Sequence, residues 1–586
     1  MSLTNEAPAP SQDPQLDADG MKRDVGFFGL LWASEGSLIG SGWLFGALTA
    51  ATIAGPSAII GWIVASIIVT VLALVHAELG GMFPVSGGTS RYPHYAFGGF
   101  AGATFGWFSY IQAATVAPIE VLAAVQYASS MHWAKDFWST KNGGQLSGSG
   151  ILVAVILMFV FTCINLVGVQ WMNRVNSVLT SWKVIIPVLA IVVLLATHFH
   201  SGNFSAGGGF FVHGSELKSI MLALPAGGIV FALLGFEQAV QLGGESKNPG
   251  RDMPRAVIWS ILIGAAIYIL VQVAFIGAMD PHVLTDAGTW TNLSTAATQA
   301  HHADVAALNS APFYELATLA GLGWLAFILR IDAIVSPAGT GLIYLTSSSR
   351  LSFGLSKNGF IPEAMALNSK RTKVPWVGII VAAIIGLIFL LPFPSWGKLV
   401  GVVTSASVMM YAGAPLAMGA LRIQKPDLPR PYRLPAGNIL APVSFICANL
   451  IVYWSSWTVY STLMLVMIIG ALIMLISGVF HLNSNLHKMD WSAAIWIIPY
   501  LIGMGIISYL GGFGNQSGQP SGIVDNIGIF NNVLVGGHAH IGLYWDILVV
   551  AVFSLAIYFL ALATRKSPEQ VDEAIADVYP MPVEGH

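Results

Sequence analysis

The chain has 586 residues, of which 55% are hydrophobic and 9% charged, with a mean hydropathy of +0.72 and a net charge of −3. Soluble globular proteins carry about 25% charged residues, so the composition excludes a soluble fold. The small net charge gives no footing for nucleic acid or an acidic partner. The two cysteines, Cys163 and Cys447, both lie in apolar segments and suggest neither a disulfide framework nor a cysteine metal site.

Residues 1–25 are polar, with Pro8, Pro10 and Pro14, and show no cleavable signal in the required order; they read as a disordered cytoplasmic tail. Apolar runs then follow that are ~20 residues long and do not alternate, so membrane helices rather than a barrel are expected. Fourteen spans are predicted, at about 26–50, 56–80, 99–130, 149–170, 178–198, 219–242, 255–279, 313–346, 375–393, 397–421, 437–456, 459–480, 491–511 and 543–564. The eleventh and twelfth are separated only by Ser455-Ser456-Trp457. Residues 565–586 form a second cytoplasmic tail, opened by Arg565-Lys566.

With the N-terminus inside and the spans alternating, every Lys and Arg falls on the inner side or at an inner helix end except Lys135, Lys141, Lys218, Lys398 and Arg330. The inner set includes Arg91, Arg174, Lys247, Arg251, Arg255, Arg350, Lys357, Lys370, Arg371, Lys373, Arg422, Lys425, Arg430, Arg433 and Lys488. This positive-inside bias supports the count and the orientation, with both termini cytoplasmic. Segments 131–148, 199–218, 280–312 and 512–542 are rich in Gly, Ser, Asn and His and read as solvated outer caps. His301-His302 and His538/His540 fit such loops better than a metal site.

The first span holds Ser37-Leu-Ile-Gly-Ser-Gly-Trp43, where Gly40 and Gly42 flank Ser41. Glycine has weak helix propensity, and opened backbone inside a bilayer is tolerated only where it lines a cavity or is buried in protein. The stretch therefore predicts a broken helix whose free N–H and C=O groups face a small polar ligand. A second interruption, Phe231-Ala-Leu-Leu-Gly-Phe-Glu237, lies five spans later. Paired interruptions at matching positions point to a transporter site between repeats, and an odd offset makes the second repeat run upside down. Plain helix packing by small residues is the competing reading.

The ordered set of motifs resembles the amino acid–polyamine–organocation transporters, with a LeuT-like fold. It comprises Ile39-Gly-Ser-Gly-Trp-Leu-Phe45, Ala77-Glu-Leu-Gly-Gly-Met-Phe-Pro-Val-Ser-Gly-Gly88, Glu245-Ser-Lys-Asn-Pro-Gly-Arg-Asp-Met-Pro-Arg255, Ser348-Ser-Arg-Leu351 and Lys357-Asn-Gly-Phe-Ile-Pro362, covering about 26–421. Arg91-Tyr-Pro93, Ile119-Glu-Val121, Gly321-Leu-Gly-Trp-Leu-Ala326, Asp332-Ala333, Pro392-Phe-Pro-Ser-Trp396 and Ile451-Val-Tyr-Trp-Ser455 resemble the bacterial aspartate–proton symporter branch, which is also fourteen-spanned. Glu35 and Arg330 depart from that branch, standing where apolar residues are expected, and Glu237 matches the wider family instead. The resemblance implies an all-α membrane protein in the bacterial inner (plasma) membrane. It implies a first inverted repeat over 26–198, a second over 219–421, and extra C-terminal helices over 437–564.

For an amino-acid substrate, the N–H groups at Ser41 and Gly42 suit the carboxylate, because a helix N-terminus carries partial positive charge. The carbonyls of Ile39, Phe231, Ala232 and Leu234 suit the ammonium, with Gly40 and Gly235 opening the helices. The resemblance implies that Phe231 closes over the substrate as a gate; a lipid- or core-facing aromatic is the alternative. It also implies that Lys183, in Val178-Leu-Thr-Ser-Trp-Lys-Val-Ile-Ile-Pro187, puts its ammonium where sodium-coupled relatives hold Na⁺, beside Gly36 and Ser336. A partly buried lysine can load and release a proton, although a lysine near a helix end can also simply snorkel.

Glu35, Glu120, Glu237, Asp332 and Asp546 also lie within spans, where ionisable groups usually mark pathways. Asp332 is one turn from Ser336 and shares its face. Arg330 and Asp332 are two apart and do not face each other. Arg330 is expected to meet Glu35, Glu120 or the side-chain carboxylate of an acidic substrate, or else to form a structural ion pair. Glu237 suits a helix cap, and Asp546 an interface. The inner loop Pro84-Val-Ser-Gly-Gly-Thr-Ser-Arg-Tyr-Pro93 reads as a lid or as a plain turn. Gly243-Gly244 lacks the rest of a P-loop, and no protease, hydrolase, cofactor or metal motif is present.

The expectation is a secondary transporter, not an enzyme: proton-coupled symport of an acidic or small neutral amino acid by alternating access. An amino-acid exchanger without proton coupling is the competing transport reading, and a transport-dead sensor on the same scaffold the competing class. Its partners are the amino acid, protons and the lipid bilayer. The sequence sets neither the cargo nor the oligomeric state.

Overall fold

The computed structural model describes residues 23–576 except 86, 132–133, 135–139, 142–144, 168, 212–215, 370–371, 373, 392–395, 484–488 and 514–539. The expected N-terminal tail lies almost wholly outside the described residues, as do Lys135, Lys370, Arg371, Lys373, Lys488, His538, most of segment 512–542 and the side chains of Arg174 and Lys398.

Helices dominate. α1 (Phe27–Leu38) and α2 (Gly42–Ala54) are separated by three non-helical residues; α3 (Ala58–Met82), α4 (Gly88–Phe97), α5 (Gly99–Ala128), α6 (Gly148–Val167) and α7 (Val169–Thr197) follow. β1 (Thr140–Lys141) and β2 (Gln145–Leu146) form a small antiparallel hairpin before α6. The next span is in three pieces, α8 (Glu216–Ala226), α9 (Ile229–Ala232) and α10 (Glu237–Gln241). Then come α11 (Pro249–Ala278), α12 (Pro281–Ala287), α13 (Ala296–His301), α14 (Ala303–Ser310), α15 (Pro312–Leu319), α16 (Gly323–Lys357), α17 (Trp376–Leu390) and α18 (Trp396–Gln424). The chain finishes with α19 (Gly437–Trp454), α20 (Trp457–Val479), α21 (Ile497–Leu510), α22 (Leu543–Thr564) and a short α23 (Pro568–Ile575). Ten helical stretches among the described residues are long and apolar enough to cross a membrane, the α2–α3 run counting as one, and three shorter apolar helices accompany them.

α5 is the central post. Almost every residue from Gly99 to Ala128 is buried, and α4, α16, α17 and α18 pack around it. Its many Gly and Ala residues let neighbouring backbones approach closely, which is how apolar helices associate in lipid. By contrast α20 turns Ile468, Leu472 and Leu475 outward, as a helix at a lipid boundary does.

Four predicted boundaries shift. The expected span 313–346 is two helices, because Gly321 at φ +70° turns the chain between α15 and α16. The gap expected at 171–177 belongs to α7. Segment 280–312 is not an open solvated loop: α12–α14 bury Trp290, Leu293, Val305 and Leu308 as a packed cap, and His302 pairs with Asp286 at 3.3 Å. The loop after α3 becomes helical at Gly88, and α4 is almost entirely buried. At the narrow gap between the eleventh and twelfth spans, the chain breaks with Ser456 at φ +84°.

Polar ties gather the helix ends on one face. Glu78 of α3 meets Arg422 at 2.5 Å and accepts the Leu434 N–H at 2.7 Å, while Arg350 pairs with Glu245 at 2.9 Å. Lys425 and Asp572 approach to 2.5 Å, which holds α23 to the end of α18.

Candidate functional site

The two helix breaks touch. α1 ends where Ile39 leaves helical geometry at φ −92° and ψ 83°. Gly235, in the second break, stands at φ +132°, and a Cβ there would lie 2.6 Å from the Leu38 nitrogen. At Gly42 a Cβ would lie 2.8 Å from the Ala232 Cβ. Glycine is therefore required at both positions for one break to pack on the other. The Tyr268 hydroxyl, from α11, satisfies the Leu38 carbonyl at 2.7 Å.

Each break has its own carboxyl group. Ser41, at the start of α2, donates its N–H to Glu120 of α5 at 2.8 Å and its hydroxyl to the same group at 3.0 Å. The Trp396 indole donates to Ser41 Oγ at 2.8 Å. The expectation that Ser41 presents a free N–H is thus corrected: a buried carboxyl group already occupies this helix N-terminus, as the positive end of a helix favours. In the second break Glu237 accepts the Gly235 N–H at 2.8 Å, the Tyr344 hydroxyl at 2.8 Å and the Tyr411 hydroxyl at 2.5 Å. The carbonyls are not all free either. Ile39 faces the Thr340 hydroxyl at 3.4 Å, and Phe231 accepts the Leu234 N–H at 3.1 Å.

Lys183 of α7 is only 1% exposed. Its ammonium donates to the Gly36 carbonyl near the end of α1 and to Thr340 Oγ1 of α16 at 2.6 Å. Thr340 in turn reaches the Gly36 carbonyl at 3.0 Å. Ser336, the partner expected for Lys183, instead donates to Asp332 at 2.7 Å; the hydroxyl one turn further along α16 takes its place. Asp332 also accepts the Trp182 and Trp43 indoles at 2.9 and 3.1 Å, so this buried carboxyl group holds α2, α7 and α16 together. A buried lysine surrounded by hydroxyl and carbonyl oxygens joins three helices, one of which ends in the break.

A profile of the amino acid permease family matches residues 25–473. The chain belongs to the amino acid permease family. It is similar to the glutamate/serine transporter AimA of Bacillus subtilis (strain 168), at 35% identity over 94% of this chain and 96% of that protein. It is also similar to the aspartate-proton symporter of the same organism, at 32% identity over 94% of this chain and 98% of the relative. The branched-chain amino acid permease BcaP of that organism is 24% identical over 77% of this chain. The permease is accordingly a multi-pass membrane transporter of the amino acid–polyamine–organocation superfamily and not an enzyme.

Two of the expected selectivity residues do not join the site through contacts. The Arg330 guanidinium donates to the Tyr314 hydroxyl and stacks over that ring at 4.5 Å, away from the expected Glu35 and Glu120 pairings. Glu35 is fully buried, and neither of its side-chain oxygens has a hydrogen-bond partner among the described residues. Phe231 is buried, not lipid-facing, and packs edge-on to Trp396 with ring centroids 5.8 Å apart. Asp546 bonds the Tyr453 hydroxyl at 2.6 Å, far along the chain from the breaks.

Sequence reading missed Thr340, Trp43, Trp182, Trp396 and Tyr268. Thr340 was the most findable, since it continues the Asp332–Ser336 face by one more turn. The tryptophans and Tyr268 carry no local signal, because an aromatic in a span is ordinarily packing.

The space between the breaks is closed. A cavity of only about 10 Å³, lined by Ser37, Gly40, Gly42, Glu120, Phe231 and Thr340 among others, is hardly enough for one water. A cavity of about 620 Å³ lies elsewhere, between α5, α20 and α21, with Trp107, Tyr460, Met464, Met474, Leu501 and Tyr509 in its wall. Its almost wholly apolar lining suits a lipid chain, not an amino acid. In this arrangement the broken helices leave no room for an amino acid between them.

Proposed function

We propose that this permease is a proton-coupled symporter of acidic or small neutral amino acids, with Lys183 as the coupling group. The observation that carries the reading is the buried Lys183 ammonium clamped between Gly36 at the end of α1 and Thr340 of α16. When the ammonium loses its proton, it can no longer donate to both oxygens with the strength of a charged group, so α1 is loosened from α7 and α16. Proton loading is thereby linked to whether the break is open or closed.

The substrate carboxylate competes with Glu120 for the N-terminus of α2, and the ammonium goes to the carbonyls exposed when Ile39, Phe231, Ala232 and Leu234 separate. The names of two relatives, a glutamate/serine transporter and an aspartate-proton symporter, support this cargo class and the coupling. The scaffold in this reading is the LeuT-like pair of inverted repeats over 26–198 and 219–421, with helices 437–564 added. It makes fourteen crossings of the plasma membrane, with both termini cytoplasmic.

The test is uptake of labelled aspartate, glutamate and alanine into proteoliposomes, with and without an inward proton gradient. Gradient-driven accumulation that Lys183→Ala abolishes, with counterflow retained, is the expected result. Uptake that ignores the gradient and depends on internal amino acid would make the permease an exchanger and Lys183 a structural clamp.

A further inference from the structure

Several polar groups of the stretch Ser34–Leu38 have named partners. Ser34 Oγ accepts the Ala239 N–H at 3.2 Å and approaches the Phe236 carbonyl at 3.3 Å. Gly36 offers its carbonyl to Lys183 and Thr340, Ser37 Oγ donates to the Ala33 carbonyl at 2.9 Å, and the Leu38 carbonyl accepts from Tyr268. The Glu35 carbonyl accepts the Ile39 N–H at 2.9 Å. The Glu35 carboxyl group, 0% exposed, has no hydrogen-bond partner among the described residues.

The helices packed on α1 are α7, α10, α11 and α16, and among the described side chains none supplies a counter-ion. On α7, Lys183 is committed to Gly36 and Thr340, and the side chain of Arg174 lies outside the described residues. On α10, Glu237 is held by Tyr344 and Tyr411. On α11, Tyr268 is bonded to Leu38, Arg251 lies 3.7 Å from Asp252, and Arg255 is exposed. On α16, Asp332 has three donors, Arg330 lies on Tyr314, Arg350 pairs with Glu245, and Lys357 sits over Phe353.

An unpaired carboxylate buried among helices is far costlier than the neutral acid. In this closed arrangement Glu35 is therefore a carboxylic acid, and it can ionise only when water reaches it. α1 is a short helix cut off from α2 by the break, so it can move as a separate body. We propose that Glu35 is a second proton-binding site of the permease, protonated while α1 is packed and releasing its proton to water as α1 separates. The transport consequence rests on the symport reading above; the protonation itself does not.

Two measurements keep these apart. In infrared pH-difference spectra of the purified full-length protein, a band from the C=O stretch of a protonated carboxylic acid is expected, and Glu35→Gln is expected to remove it. In proteoliposomes, the proton-to-substrate ratio read from the reversal potential is expected to fall by one proton in Glu35→Gln, with counterflow retained. Glu35→Leu, which suits the apolar surroundings, is expected to fold and to match Glu35→Gln in both readouts. A band that keeps its full wild-type intensity in both variants, or an unchanged ratio, overturns the proposal, and loss of folding in both makes Glu35 a structural residue. An unaffected ratio in Lys183→Ala would instead count against Lys183 and leave the Glu35 result standing.

Discussion

The two helix breaks solve one problem in opposite ways. Both leave main-chain groups exposed inside the protein, and both use a carboxyl group to satisfy an N–H. At the second break the carboxyl is local: Glu237 bonds Gly235, two residues away, and Tyr344 and Tyr411 fix it there. At the first break it is borrowed: Glu120 comes from α5, 79 residues along the chain, and the Trp396 indole reaches the same serine. A break closed by its own side chain keeps its shape when neighbouring helices move. A break closed by a distant helix changes its bonding whenever those helices shift. The second break thus resembles a fixed hinge block, and the first the part that exchanges partners.

The comparison can be tested in order of expected effect. The largest is at the point where the breaks touch. Gly235→Ala places a side chain at φ +132° and 2.6 Å from the Leu38 nitrogen. Backbone strain alone costs on the order of 1–3 kcal/mol, and the clash adds to it. Loss of folded protein on size-exclusion chromatography is expected, and a variant of wild-type stability would mean that the breaks are not packed as described.

Next is the pair of carboxyl exchanges. Glu237→Gln disturbs two tyrosine hydrogen bonds and a main-chain one, so a loss of about 1–3 kcal/mol is expected, seen as a lower thermal midpoint in detergent. Glu120→Gln still offers Ser41 an acceptor, so a smaller stability loss is expected, together with a larger change in substrate KM. Equal effects of the two exchanges on both readouts would erase the distinction between a fixed and an exchanging break.

A smaller effect is expected for Trp396→Phe, which keeps an aromatic against Phe231 and removes the bond to Ser41. About 1 kcal/mol of stability is at stake. If the first break depends on its borrowed contacts, this variant also alters uptake kinetics. The smallest effect is expected for Arg330→Gln. Its guanidinium lies on Tyr314 and not on the breaks, so the ranking of aspartate, glutamate and alanine in competition assays is expected to stay the same. A reordered ranking would bring Arg330 back as a selectivity residue.

Much of the scaffold is legible in the sequence. Hydropathy marks the long helices, and Gly40, Gly42 and Gly235 mark the places where a helix should open. The shortfalls have physical causes. Gly321 sits inside an apolar run, so its turn was invisible to a hydropathy reading. The polar composition of 280–312 hid the few large apolar residues that let it pack. Arg330 suggested a carboxylate partner by its charge, yet found the ring and hydroxyl of Tyr314, 16 residues earlier. Lys183 and Gly36 were paired by resemblance. Thr340 in place of Ser336 followed from the relative rotation of α7 and α16, which no pattern within either helix records.

Local chemistry settles what a stretch of chain will do alone: an apolar run enters the bilayer, and glycines weaken it at set points. Those properties travel with the sequence, and so the membrane class and the two interruptions were readable from it. Which groups meet is a different matter, because it depends on how separate helices rotate and slide against one another. Ser41 and Glu120 lie 79 residues apart, and Lys183 and Thr340 157 apart. Packing alone brings these pairs together, and packing alone leaves Glu35 buried without a partner among the described residues.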